Sequence, residues 1–395
     1  MTESFSPFTY DYDGTDILYG RGSIDRIGDS LDDFESDSVL VVCGSNVGSN
    51  AAVMEPLHSA LADYEVSVFD ETTPAKSVAT LENAVDRLEV EDPDAIVGIG
   101  GGSSLDIARQ LSVFAAAERD LSTFRAAALE GRTLEPVPAS PLTPVIVVPT
   151  TFAGAGLSSG GSIELLSAED SPTGHALRTC GTCRPQTVVY DPALYETTPR
   201  GTLAGSAMNG FNKGIETLYA RSSNPITRTL AGRGLGTVRR AFPTAVDDAG
   251  SMESAVVGSI LVQFRRQTSV IHAFGHGFSY HYPIQQGLIH AVVTPHVLRY
   301  VFDRADGNRR ATADALGIDV GPMNDDDVAA AIVDDVRALR DSLDLPTRLR
   351  DIDAVSRSDF RRIAAFVRDD VPDERAPPGL EPTTDAIERV LHDAW

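Results

Sequence analysis

Lysine is almost missing from this chain: of 33 basic residues only Lys76 and Lys213 are lysine, and the rest are arginine. Basic charge of either kind is outnumbered, because 57 acidic residues leave a formal net charge of -24. The acids are spread along the chain rather than gathered in one block. Such a surface repels nucleic-acid phosphates and anionic membranes, so neither is expected as a partner. Abundant Asp, retained Arg and scarce Lys point to a halophilic protein, folded where salt screens its self-repulsion. The plainer alternative is the acidic bias of a GC-rich genome.

Cysteine is also scarce, with Cys43, Cys180 and Cys183 the full set. Cys180 and Cys183 form one "CGTC", but a zinc ribbon needs a second such pair and a thioredoxin-like site needs a helix start in a βαβ unit. Structural or incidental thiols are the expectation. No apolar run approaches the roughly 18–20 residues that span a bilayer. The opening "MTESFSPFTYDYDG" has neither a basic nor an apolar leader region, so a signal peptide is not expected and a cytoplasmic location is. With 42% hydrophobic residues in 395, the chain can bury a large core and form two domains.

The first half alternates apolar β-branched runs with helical periodicity. "SVLVVCG", "YEVSVFD", "DAIVGIG", "TPVIVVPTT" and "TVVYDPAL" read as strands, and residues 77–92 and the stretch after "GIGGG" as helices. Strands separated by helices of this length predict a parallel sheet with right-handed crossovers. After Pro199 the pattern becomes helical, with segments at 204–221, 225–241, 254–268, 270–279 and 287–302, and more helix in 311–350 and the tail. The expected organisation is an α/β domain over 1–194 and an all-helical domain over 195–395.

"GIGGGSSLD" lies between a strand and a helix, and contains Gly100, Gly101, Gly102, Ser103, Ser104 and Asp106. Consecutive glycines let a backbone approach a pyrophosphate, and the helix N-terminus supplies amide donors. Dinucleotide binding is expected there, although the run is not the G-x-G-x-x-G fingerprint.

Several motifs in register resemble the iron-containing (group III) alcohol dehydrogenases: "GGGSSLD", "PTTFAG" with Thr150 and Thr151, the helix around Met208–Tyr219, and "HAFGHGFSYHYPIQQG…TPHVLRY". The resemblance spans nearly the whole chain. It implies the architecture shared with dehydroquinate synthase, NAD(P) on the α/β domain, a divalent metal in the helical domain, and hydride transfer between them. The family's metal ligands, an Asp, a His four residues on, and two later histidines, correspond here to Asn209, Lys213, His272 and Gln286. Two amides and an ammonium cannot make the carboxylate–imidazole site a divalent ion requires, so no metal is expected. "MNGFNKGIETLYA" followed by "NPI" is similar to the maleylacetate reductases, a metal-independent branch, which also carry Asn in the Asp position. That branch keeps histidines where Lys213 and Gln286 stand, and its "PTTYAGSE" is here "PTTFAGAG".

Lys213 is therefore expected to replace the metal's charge, donating to a substrate carbonyl and stabilising the alkoxide. Gripping a substrate carboxylate, forming a Schiff base, or snorkelling at the surface are the alternatives. His276 lies four residues after His272 on one helical face. In the family this second His lies near the nicotinamide and can relay protons. A residual zinc site with His281 and a pair of core histidines are the competing readings. His290 receives no role. The catalytic set expected is Lys213, His272, His276 and Asn209. Many NAD-users of the family carry an Asp after the strand "VLVVC". Here the turn is Gly44, Ser45 and Asn46, which admits a 2′-phosphate, so NADP is favoured mildly over NAD. The expected function is an NAD(P)-dependent reductase of a small carbonyl, alcohol or enoate substrate, working as a homodimer. A metal-dependent dehydrogenase with atypical ligands and a non-catalytic nucleotide-binding protein are the rivals.

Overall fold

The computed structural model describes Phe8, Tyr10 and Gly14–Trp395. The reading of residues 1–14 as free of a leader falls almost wholly outside them. Among the described residues no helix is long and apolar enough to cross a membrane. The described residues divide into two compact units: one is Gly14–Thr151 with Ala155–Pro199, the other Arg200–Trp395 with Phe152–Gly154.

The first unit is built on a sheet of β1 (Asp16–Tyr19), β2 (Ser38–Val42), β3 (Glu65–Phe69), β4 (Ala95–Gly100), β5 (Val145–Pro149) and β8 (Thr187–Tyr190). Their order is β1-β8-β5-β4-β2-β3, with every pairing parallel. Parallel sheets are covered on both faces, which is why "SVLVV", "AIVGIG" and "VIVVP" are continuous apolar runs rather than alternating ones. From β2 the chain steps outward to β3, then crosses back to place β4 on the other side of β2. The carboxyl ends of β2 and β4 therefore flank a topological switch point, the place where open α/β sheets bind ligands. Gly98 also has a packing reason to be glycine: a Cβ there would lie 2.6 Å from Cβ of Ala108 on the helix Gly102–Ala115.

Two expectations for this unit need correction. "TVVYDPAL" is a strand only as far as Tyr190, because the Asp191 side chain accepts from Ala193 N and starts the helical turn Pro192–Tyr195. The sequence reading also passed over β1 and an antiparallel hairpin of β6 (Ile163–Leu166) and β7 (Leu177–Thr179). These strands are short and only partly buried, so their pattern is weak.

Among the described residues, the regular elements of the second unit are all helices. Its central helix, Arg200–Tyr219, is buried at every position from Leu203 to Tyr219 except Asn209. The next, Pro225–Asp248, begins with a capping box: Asn224 accepts from Thr227 N while Thr227 Oγ1 accepts from Asn224 N, and proline occupies the first helical position. The helix expected over 254–268 runs instead from Met252 to Leu261, and Arg265 beyond it takes a left-handed φ of 49°. The helical stretch expected over 311–350 is broken after Leu316 by Gly317, whose φ of 77° ends the helix.

Candidate active site

In the first unit the expected cofactor residues gather at the switch point. Gly100 has a φ of 127°, and a Cβ on it would meet Val47 at 3.3 Å and Ser104 Oγ at 3.5 Å. Its carbonyl accepts from Thr150 N at 2.9 Å. Gly101 caps the helix Gly102–Ala115 without a side-chain bond, and a Cβ on Gly101 would touch Thr151. Ser103 lies in that helix's first turn, where amides have no intrahelical partner. Ser104 Oγ shares a 2.7 Å hydrogen bond with Thr72 Oγ1, and Thr72 N donates to Cys43 O beside Gly44. Thr72 was not expected; it joins the Gly44 turn to the glycine-rich turn. Ser45 and Asn46 are exposed on the short helix that follows Gly44.

Asp106 stands apart from the others in its chemistry. Its carboxylate accepts from Lys76 Nζ at 2.8 Å and from the Arg109 guanidinium at 2.5 Å. Arg109, fully buried, also donates to Gly160 O and Ala155 O. Asp106 is thus committed to a structural network that ties the loop Ala155–Ser162 down, and one of the chain's two lysines is kept to serve it.

In the second unit Asn209, Lys213 and Glu216 project from the central helix at i, i+4 and i+7, one face of consecutive turns. Lys213 is only 7% exposed, which excludes a snorkelling surface residue. Its ammonium donates to the carbonyls of Ala153 and Gly154. His272, on the helix Val270–Ser279, is buried beside it. The Nδ1 of His272 bonds to a carboxylate oxygen of Glu216, and its Nε2 lies 3.2 Å from the amide oxygen Oδ1 of Asn209. Burial first, then the Lys213 charge, hold His272 far below the usual imidazole range. Burial pushes Glu216 up to about 7, against the pull of the amides it accepts from. His276 is more open and pairs through Nδ1 with Asp370 at 2.7 Å, its ring 6.5 Å from that of His272. His290 packs edge-on against His272 at 4.7 Å, fully buried with neither ring nitrogen bonded to a protein group. Gln286 turns its amide to Ser279 Oγ at 3.2 Å. Among the described residues no three His, Cys, Asp or Glu side chains come together as a metal-holding group.

Residues 14–192 match the family of iron-containing alcohol dehydrogenases, and residues 203–395 match its C-terminal domain. The chain belongs to this family. It is an NAD(P)-dependent oxidoreductase of the alcohol dehydrogenase and maleylacetate reductase type. A maleylacetate reductase of Sphingobium indicum is 26% identical over 302 residues, 74% of this chain and 75% of that one. A lactaldehyde reductase of Escherichia coli is 22% identical over 95% of this chain and 97% of its own. The crystal structure of a 1,3-propanediol oxidoreductase superposes with a TM-score of 0.86 at 22% identity, covering 98% of this chain and 100% of that one. At that identity the superposition speaks for the fold.

Within this iron-containing family framework, Glu216 and Asp370 are the site residues that sequence reasoning missed. Glu216 lies in "ETLYA", and its spacing of three from Lys213 and seven from Asn209 is the available signal. Asp370 closes the helix Phe360–Asp370, 94 residues from His276, and nothing local marks it.

Proposed function

We propose that the chain transfers hydride between NADP or NAD and a small carbonyl, alcohol or enoate substrate without a catalytic metal, Lys213 supplying the positive charge. The observation that carries this is the buried Lys213 ammonium, fixed by two backbone carbonyls next to His272 and Asn209. The donor set does not fit a divalent ion. Asn209 and Gln286 offer weak neutral amide oxygens, and an ammonium has no lone pair to give and repels a cation. A cation held in place before the reaction is suited to a different task. It stabilises charge as it develops on a substrate oxygen, with no reorganisation cost at that moment.

The residues of the first unit suit a dinucleotide. The glycine turn leaves room for a pyrophosphate against the free amides of the helix Gly102–Ala115, and Ser103 and Ser104 add hydroxyls. In this reading Ser45 and Asn46 stand beside the adenosine ribose, where hydroxyl and amide would donate to a 2′-phosphate. When bound, the cofactor supplies or accepts the hydride. A cytoplasmic homodimer acting on a small molecule is part of the same reading.

The test joins elemental analysis to NADPH and NADH oxidation with a panel of aldehydes and oxo acids. Activity that survives chelation, with metal far below stoichiometric, is the expected result. About one tightly held metal per chain, with activity lost on chelation, would overturn the metal-free reading. Tight nucleotide binding with no turnover on any substrate would leave a binding protein instead.

A further inference from the structure

In the second unit the helices Pro225–Asp248 and Met252–Leu261 border a cleft of about 230 Å³. Arg233, Thr237, Arg240 and Ala241 line it from the first helix, Ser251 and Ser254 from the start of the second. Arg233, Thr237 and Arg240 stand at i, i+4 and i+7, one face of consecutive turns. Gly236 leaves room for a guanidinium over that face, since Arg240 Nη1 lies 3.4 Å from where a Cβ on Gly236 would be. Among the described residues neither Arg233 nor Arg240 has a side-chain hydrogen bond or an ion pair. In a chain with 57 acidic residues against 33 basic ones, unpaired arginines side by side need a reason. Arg239, next in sequence to Arg240, takes the ordinary course and grips Asp335 through two bonds of 2.7 Å. Nearby acids are turned to other partners: Asp247 is held by Arg200, and Asp248 accepts from Gly250 N. No acidic side chain lines the cleft.

What lines it is a set of donors. Each guanidinium offers a planar fork that matches two oxygens of one anion. Thr244 Oγ1 donates to Ser251 Oγ at 2.8 Å, so the Ser251 proton is left to point elsewhere. The Ser254 hydroxyl has no partner among the described residues. Thr237 Oγ1 spends its proton on Arg233 O and contributes shape alone. We propose that this cleft binds a phosphate dianion, either free or as the terminal group of a small monoester. Two positive charges call for two negative ones, and a single carboxylate would leave one guanidinium unanswered. The cleft is smaller than the roughly 300–1,000 Å³ of sites for drug-sized ligands, so the group it takes is small. The net charge of -24 repels anions at long range, so binding rests on these direct contacts rather than on steering. None of the lining residues belongs to the set assigned to hydride transfer, and the proposal does not depend on that assignment.

The test is calorimetric titration of the NAD(P)H-saturated enzyme with inorganic phosphate and with methyl phosphate, at about pH 8, where phosphate is doubly charged. Saturation with the dinucleotide keeps the glycine-rich turn occupied, so that turn cannot supply the signal. One saturable phosphate per chain is the expected result. Arg233→Gln and Arg240→Gln should each weaken it by roughly tenfold, the scale of a charge-assisted hydrogen bond. Lysine at either position keeps the charge without the fork and should restore only part of the affinity. Ser254→Glu, which brings a carboxylate to the cleft, should abolish binding. All three residues are exposed, so the variants should fold, and unchanged NAD(P)H affinity checks that they do. Binding of both probes would support a monoester as the ligand, and binding of inorganic phosphate alone would support the free ion. No saturable binding of either probe would overturn the proposal. Displacement by sodium chloride at matched ionic strength would do the same, since it would mark a diffuse patch of charge. So would undiminished phosphate binding in the Arg233→Gln, Arg240→Gln double variant.

Discussion

Lys213 Nζ donates to the carbonyl of Gly154 at 2.8 Å, and Gly154 holds a left-handed backbone with a φ of 74°. The cation and the loop that orients it are thus set by each other. If the ammonium stabilises developing negative charge, Lys213→Met should lower kcat by about 10²–10³, the usual worth of a preorganised donor. Cofactor affinity should hardly move. Lys213→Arg should rescue only in part, since a planar guanidinium cannot occupy the place of a compact ammonium. A loss confined to KM would mean that Lys213 grips a substrate carboxylate in ground and transition state alike. A loss of thermal stability with kcat intact would make it a loop tether and nothing more.

Gly154→Ala tests the other partner. A Cβ there would stand 3.1 Å from Lys213 Nζ and 3.0 Å from Gln263 Cγ. Left-handed backbone costs a non-glycine residue about 1–2 kcal/mol. The variant is therefore expected to lose about that much in a urea melt and to lose kcat as well, because the carbonyls that aim the ammonium must shift. A variant with wild-type stability and rate would remove the coupling between loop and cation.

The sequence made the sheet, the glycine turn and the central helix legible, for physical reasons. β-Branched runs buried on both faces and a glycine triplet at a strand end carry strong local signals. Lys213 stood out because lysine is otherwise so rare. What the chain did not reveal is pairing across distance. The separation of 56 positions between Glu216 and His272 hides their bond. Asp106 looked like a cofactor residue because it follows "GGGSSL", yet its partners Lys76 and Arg109 commit it to the scaffold. Periodicity reports which face is buried and is silent about which polar groups meet there.

That scaffold gives a stability prediction. Burial pushes the Asp106 carboxyl up, but the charges and hydrogen bonds of Lys76 and Arg109 outweigh it and hold the group below its ordinary range. Its folded value is depressed, so its contribution is complete above the unfolded value of 3.8 and is lost as pH falls through the lower folded value. The stability gap between wild type and Asp106→Asn should stay constant from pH 7 to pH 5 and close in stronger acid. Lys76→Met should cost about 1–3 kcal/mol at pH 7, and adding Asp106→Asn should recover part of that. Additive losses in the double variant would show that the two groups do not act as a pair. Urea melts in molar salt are the appropriate measurement, since this part-buried network is screened far less than surface pairs.

Cofactor choice turns on the short helix after Gly44. Placing the family's carboxylate on Gly44 itself would confuse charge with fit, because a Cβ there would lie 3.1 Å from Thr72 O. Ser45 is exposed, so Ser45→Asp introduces the charge with little steric change. A 2′-phosphate near that residue should be repelled, and about tenfold weaker NADPH binding corresponds to only about 1.4 kcal/mol. NADH should be unaffected or bound slightly better, since a carboxylate accepts hydrogen bonds from a ribose diol. Asn46→Arg should act in the opposite sense and tighten NADPH. Glu71, whose backbone bridges to Gly44, places another acid close to the same turn. Glu71→Gln should therefore also favour NADPH, by less than Asn46→Arg does. Dissociation constants from fluorescence titration of both cofactors against the three variants decide the matter. Equal changes for NADPH and NADH in all three would show that the adenosine end lies elsewhere.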